Sequence, residues 1–231
     1  MTEEISWGDG SGDKIYLTFG ASEGTQTISV SSDPNAGTSE RSKNVVFTTA
    51  AGGVSKTLTV KQDGYQPTEH TVRLIPSNYA VSSTSYLSVS NASNMYHNTD
   101  NTTYATITNT NSSTSSRYLY LRGFNFSDIP SGATVTSFTV KIKGYERSLS
   151  TSTSYAPRLA NGTSALSNTT ASTNFGTSTK TITIPTGALT WTQMKNYGSN
   201  FTIMVYVRRN SRNTTGYFYC YGAEIEVKYT L

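Results

Sequence analysis

The sequence predicts an all-β protein: a small Ig-like sandwich followed by a larger antiparallel jelly-roll β-sandwich. Three observations carry the prediction. Apolar and polar residues alternate in run after run, which puts every second side chain on one face of a strand. Hydrophobic residues make up only 35% of the 231, while aromatic residues reach 11% with sixteen tyrosines; strand formers and turn formers dominate what remains. A single segment, Thr190–Tyr197, has helical character, with Thr190 placed to cap it.

Residues 1–66 form the first domain. Ile15, Leu17 and Phe19 alternate, then Ile28 and Val30, Val45 and Phe47, and Leu58 and Val60. Turn clusters at 20–24, 33–37 and 51–53 separate them, so four strands are expected in a small sandwich. The glycine-rich segment Trp7–Asp13 reads as a flexible arm before the first strand. The polar stretch 63–70, with a glycine and a proline, marks the boundary.

Residues 67–231 form the second domain. A strand opens at Thr71–Ile75, a Ser/Asn/Thr-rich region holds short β-patterned runs at 86–89 and 106–108, and strands recur at 117–122, 134–143, 179–184, 201–208 and 217–230. The stretch Arg117–Tyr145 is the clearest. Leu119 and Leu121 alternate with Tyr118, Tyr120 and Arg122; Phe138, Val140 and Ile142 alternate with Thr139, Lys141 and Lys143. Asp128, Pro130 and Gly132 supply the turn between them. In the last run the pattern places Tyr217, Tyr219, Tyr221, Ala223, Ile225, Val227 and Tyr229 on one apolar face, opposite Glu224, Glu226 and Lys228. Seven or eight strands of this kind suit a jelly roll.

Charge and cysteine usage narrow the function classes. The net charge is +4, but residues 1–67 hold eight acids and five bases, and residues 68–231 six acids and thirteen bases. The bases are scattered, with only Arg208, Arg209 and Arg212 close together, so no basic stripe for nucleic acid is expected. One cysteine, Cys220, excludes an internal disulfide and reads as a small packed residue. No apolar run of ~18 residues is present, and the acidic N-terminus lacks the apolar core of a secretory signal. The Asn-x-Ser/Thr triplets at Asn91, Asn101, Asn161 and Asn213 follow from composition.

Candidate chemistry is sparse. Glu224 and Glu226 lie two residues apart on one strand, about 7 Å apart by strand geometry, a spacing some glycosidases use; their polar face gives no sign of a raised carboxyl pKa. His70 in the boundary and His97 in a loop have no triad or metal partner at a recognisable spacing. Asp100 in NTDNTTYA is one carboxylate where calcium usually takes several, and reads as an Asx turn. Neither a cofactor nor a catalytic group is expected. Trp191, Tyr96 and Tyr155 fall in loop-like contexts and are the candidate glycan contacts, because aromatic faces suit sugar C–H groups.

Two segments resemble known families. Phe19–Ser31 and Ser39–Gly64 are similar to the BACON domain of Bacteroidetes, with Arg41–Ser42, the strand Val45–Thr49, Gly52–Gly53, Leu58–Val60, Gln62 and Gly64 at matching positions. The second domain resembles jelly-roll modules of phage structural proteins and surface proteins, themselves similar to carbohydrate-binding modules; Asp100–Ala105, Ile129–Ser137, Lys141–Lys143, Trp191 and Glu224–Tyr229 carry this likeness. Together the resemblances imply a non-enzymatic virion protein of a crAss-like phage of gut Bacteroidales. It would be a head decoration protein or head fibre, made in the host cytoplasm, docked on capsid proteins by its first domain and touching host-surface glycans with its second. Repetition on a symmetric shell favours homo-oligomers such as trimers. The alternatives are a tail-associated receptor-binding module and an accessory module of a carbohydrate-active enzyme.

Overall fold

The computed structural model describes residues 2–20, 27–48, 55–82, 84–110, 117–147, 152–154, 156–209 and 215–231, with the backbone alone at 152–154 and 208–209. The chain is all-β and divides into two compact units, Met1–Pro67 and Thr68–Leu231.

The described residues of the first unit form five strands. β1 (Thr2–Ser6), β2 (Lys14–Phe19) and β3 (Ile28–Ser32) form an antiparallel sheet in that order, and β4 (Arg41–Thr48) pairs with β5 (Ser55–Gln62). The two layers share one core of Trp7, Ile15, Leu17 and Val45, with Phe19, Ile28, Phe47 and Val60 against it. Val30, expected to face inward, is exposed.

The segment Trp7–Asp13 is not a loose arm. Trp7 is buried at 5% exposure, and the Arg41 guanidinium lies over its ring, 4.4 Å from the centroid. Arg41 also pairs with Asp13 at 2.7 Å and Asp9 at 3.2 Å. Its Nη2 donates to the Asp33 carbonyl at 2.9 Å, and its Nε donates to Gln62 Oε1 at 3.0 Å. One side chain thus ties together a loop, a turn and two strands. Gly64 closes the unit because a Cβ there would come within 2.3 Å of the Thr38 carbonyl carbon.

Hydrogen bonds from Ser11 hold the Asp9 carboxyl down to about 2, and Arg41 adds to the effect. Because its folded value lies below the ordinary one, this contribution is full above the ordinary carboxylate range. It is lost as pH falls toward 2. Replacing Arg41 with Ala removes these charge-assisted hydrogen bonds and the cation over the Trp7 ring. Hydrogen exchange is expected to accelerate across residues 7–13 and to expose the Trp7 indole; unchanged protection there would contradict this account of the loop.

The second unit starts with β6 (Glu69–Leu74), β7 (Asn78–Val81), β8 (Leu87–Ser90), β9 (Ala105–Asn109), β10 (Tyr118–Arg122) and β11 (Thr134–Glu146). It continues with β12 (Ser152–Ser154), β13 (Arg158–Asn161), β14 (Ser164–Ala165), β15 (Lys180–Ile184), the helix α1 (Trp191–Tyr197), β16 (Phe201–Arg209) and β17 (Gly216–Thr230). Thr190 and Gln193 form a reciprocal capping box that starts α1. The first sheet runs β15-β11-β17-β9-β8, with β6 on the far half of β17; the second runs β14-β13-β16-β10-β7, with β12 also on β16. From β9 onward the chain crosses between the sheets, so β10 and β11 are not a hairpin but neighbours across the core. The resulting orders, β9-β17-β11-β15 and β10-β16-β13-β14, are those of a jelly roll.

Between the sheets lie Leu119, Leu121, Ile203 and Val205 from one side and Ile107, Val140, Ile142, Phe218, Ile225 and Val227 from the other, all at 0% exposure. Cys220 is part of this core, and burial pushes its thiol up to about 12.

β17 departs from the alternation expected of it. Its pairing with β11 shifts register at Lys143/Gly144: Lys143 faces Gly222, Gly144 faces Cys220, and Tyr221 is left over. This is a β-bulge, and it reverses which face a given parity of residue occupies. Before it, Phe218 and Cys220 point into the core; after it, Ala223, Ile225 and Val227 do. Tyr217, Tyr219 and Tyr221 therefore face outward rather than inward, on the same side as Glu224 and Glu226. Two glycines permit the geometry. A Cβ on Gly144 would lie 2.7 Å from the Phe218 ring, and one on Gly222 would lie 2.3 Å from the His97 carbonyl oxygen.

Candidate functional site

The outer face of the first sheet carries the densest group of functional side chains, and the bulge divides it into two parts. On one side stands a tyrosine array, on the other a charge cluster. Both are roofed or edged by the loop between residue 98 and β9.

The array comprises Tyr104, Tyr145, Tyr217, Tyr219 and Tyr221. Tyr145 and Tyr219 are direct cross-strand partners and stack at 4.5 Å between centroids; Tyr217 lies nearly parallel to Tyr219 at 6.4 Å. Tyr104 meets Tyr219 at 5.0 Å, Tyr221 at 5.4 Å and Tyr145 at 6.1 Å, each edge-to-face. At 37% it is the ring of the group exposed most to solvent. Cations border the array: Arg147 lies over Tyr217 at 5.1 Å and Lys143 over Tyr221 at 5.2 Å. Such pairs contribute about 0.5–1.5 kcal/mol each beyond simple burial. The loop that presents Tyr104 is fixed by Asn101, whose Nδ2 donates to the carbonyls of Asn94, Thr103 and Tyr221, while Lys143 Nζ donates to the Asn101 carbonyl at 2.9 Å.

In the charge cluster, Glu224 is buried at 1% side-chain exposure and accepts from Thr99 N at 3.3 Å and Thr99 Oγ1 at 3.0 Å. Lys141 approaches it to 3.8 Å and Arg73 to 3.9 Å. Glu226 pairs with Lys141 at 3.2 Å and Arg73 at 3.7 Å. Arg73 also binds Asp100. Glu224 therefore does not sit on an open polar face. The loop covers it, and two cations shared with Glu226 offset the cost of its burial. Glu224 holds the loop to β17, and Glu226 pairs with the cations of β6 and β11.

The sequence-predicted site residues do not come together here. Trp191 is not in a loop: it is the first residue of α1, partly buried, with its ring 5.6 Å from Phe126 and 6.0 Å from Phe138. Tyr96 ends the short 3₁₀ turn Ala92–Met95 and packs on the core beside Tyr79, where burial raises its phenol. Tyr155 lies outside the described residues, as do the side chains of Arg208, Arg209 and Arg212. Asp100 does not make the expected Asx turn: Asn98 does, its Oδ1 accepting from the Asp100 N–H at 3.1 Å, and the Asp100 carboxylate pairs with Arg73. His70 is not in a linker: it lies on β6, stacked on Tyr229 at 5.4 Å. His97 is exposed, and its carbonyl accepts from the Ala223 backbone. Among the described residues no three His, Cys, Asp or Glu side chains gather as metal ligands, and no helix is long and apolar enough to cross a membrane.

Comparison with family models, with curated proteins and with solved structures found no match to this chain.

Two phenols of the array, those of Tyr145 and Tyr219, resist ionisation. Burial, reinforced by Tyr104, Tyr221 and Tyr219, pushes Tyr145 up to about 12, and burial raises Tyr219 as well. A phenol whose folded value exceeds its unfolded one of about 10 contributes stability that is complete below pH 10 and declines as pH rises toward 12. Absorbance titration of phenolate is therefore expected to show a late-titrating class that a Tyr145→Phe variant diminishes. A single transition at the ordinary tyrosine value would show the rings to be solvated separately.

Proposed function

We propose that this protein is a non-enzymatic display protein of a bacteriophage particle, and that its jelly-roll unit contacts glycans through the tyrosine array. The observation that carries the reading is Tyr104. It is a partly exposed aromatic ring braced edge-to-face by three other tyrosines and held by a loop with its own hydrogen-bond anchor. A ring fixed in this way loses little freedom when a sugar stacks on it. The surrounding phenol hydroxyls, with Lys143 and Arg147, offer polar contacts at its edge.

The carboxylates that would serve an acid–base mechanism are engaged elsewhere. Glu224 is enclosed and Glu226 is paired, which favours a binding role over glycoside hydrolysis. The particle setting is supported by the likeness of 39–64 and of 100–105, 129–137 and 224–229 to modules of Bacteroidetes and of phage surface proteins. In this reading the first unit docks on capsid proteins and repeated copies form a homo-oligomer.

Two measurements check the proposal. On a glycan array the protein is expected to retain a subset of saccharides. Tyr104→Ala should weaken that retention about tenfold, the worth of a lost stacking contact of about 1–1.5 kcal/mol; equal retention by the variant would reject the array as the site. Immunogold labelling of purified particles should decorate heads. Tail labelling would move the protein to a receptor-binding role, and unlabelled particles would reject the virion setting.

A further inference from the structure

A separate surface lies on the outer face of the second sheet, where β7, β10 and β16 approach the turn after α1. Tyr120, Ala160 and Met204 form a small buried apolar floor there. Beside it three shallow hollows of about 70, 190 and 530 Å³ share their walls, Arg122, Ser199 and Asn200 lining the two smaller ones and Ser199 all three. The widest falls within the range of ~300–1,000 Å³ common for small-ligand sites.

Arg122 is the unusual residue. Its Nε is buried without a hydrogen-bond partner, and among the described residues its guanidinium has neither an ion pair nor a hydrogen bond. Arg41, Arg73 and Arg158 are all engaged, with Asp13, Asp100 and Tyr118 respectively. A buried guanidinium donor left unsatisfied is costly, and it is geometrically suited to a planar carboxylate. No Asp or Glu lines any of the three hollows, whereas a second cation, Lys195, lines the widest. Asp128, close by in sequence, is already bound by the Asn125 amide.

The neighbouring groups are those that hold hydroxyls. Asn78 is the cross-strand partner of Arg122; its Oδ1 accepts from the Tyr79 backbone, which leaves its amide donors for a ligand. Asn200 and Ser199 complete the wall of the same hollow. That wall is set by two fixed corners. The Gly162 N–H donates to the Asn200 carbonyl at 2.6 Å, and Ser77 Oγ donates to the Gly123 carbonyl at 2.7 Å, at a positive φ of 78° that suits glycine.

We propose that these hollows bind an acidic saccharide. A uronic-acid residue would place its carboxylate on Arg122 and its hydroxyls on Asn78, Ser199 and Asn200, with the chain continuing toward Lys195. The site is distinct from the tyrosine array and stands or falls without it.

The test is an NMR and calorimetric titration of the full chain with oligogalacturonide, with a neutral galacto-oligosaccharide of the same length and with inorganic sulfate. Oligogalacturonide is expected to shift the Arg122 Nε–H resonance and the side-chain amides of Asn78 and Asn200. Affinity should fall with added salt. Arg122→Gln should weaken it about tenfold or more and abolish the shifts of the Asn78 and Asn200 amides. The proposal is overturned if the wild-type protein shows no such shifts, if the neutral oligosaccharide shifts the Arg122, Asn78 and Asn200 resonances equally, or if sulfate alone reproduces the shifts and displaces the uronide. The wild-type titration decides the matter even where the Arg122 variant does not fold.

Discussion

The one extra residue in β17 is the constraint on which the functional surface depends. A strand presents alternate side chains to opposite sides, so an uninterrupted β17 that buried Ala223, Ile225 and Val227 would also bury Tyr217, Tyr219 and Tyr221. The bulge at Tyr221 lets one strand serve both demands: Phe218 and Cys220 fill the core on one side of it and Ala223 to Val227 on the other. The outer face is thereby free to carry tyrosines at one end and carboxylates at the other. Gly144 and Gly222 are the local requirement, since any side chain there would meet the Phe218 ring or the His97 carbonyl.

The loop that begins near His97 follows from the same feature. It packs onto β17 where the bulge and Gly222 leave room, and the Ala223 N–H donates to the His97 carbonyl at 3.0 Å. From there Thr99 covers Glu224, Asp100 takes Arg73, and Asn101 gathers three carbonyls before Tyr104 reaches the array. Charge pairs this exposed contribute little singly. The buried Glu224 is different, because leaving it without Arg73 and Lys141 would strand a charge. The cluster is therefore better understood as the clamp that positions Tyr104 than as a catalytic pair.

Much of the scaffold was legible in the sequence. The alternation in 117–122, 134–143 and 201–208 marks real strands, and Thr190 marks the helix start. The short strands Asn78–Val81 and Arg158–Asn161 are not legible, because four residues give no period to read. The tyrosine array was missed for a physical reason: tyrosine counts as apolar in a pattern, so 217, 219, 221, 223, 225 and 227 look like one continuous face. The signal lay in Phe218 and Cys220, two core-type residues out of phase with Ala223 and Ile225 across a glycine. Trp7–Asp13 was misjudged because its glycines and aspartates suggest mobility, while the partner that orders it, Arg41, lies far along the chain. Trp191 falls inside the helix that the sequence marks, and what the pattern does not show is that its ring packs on Phe126 and Phe138 rather than standing open to a ligand.

Nuclear Overhauser contacts from the β17 rings test the central claim most directly. The account predicts cross-peaks from the Tyr219 ring to Tyr104 and Tyr145, and from the Phe218 ring to core residues such as Phe175, its neighbour at 4.8 Å. Cross-peaks from the Tyr217 and Tyr219 rings to the methyl groups of Ile142 or Val205, with Phe218 in solvent, would place the tyrosines inside the sandwich and contradict it.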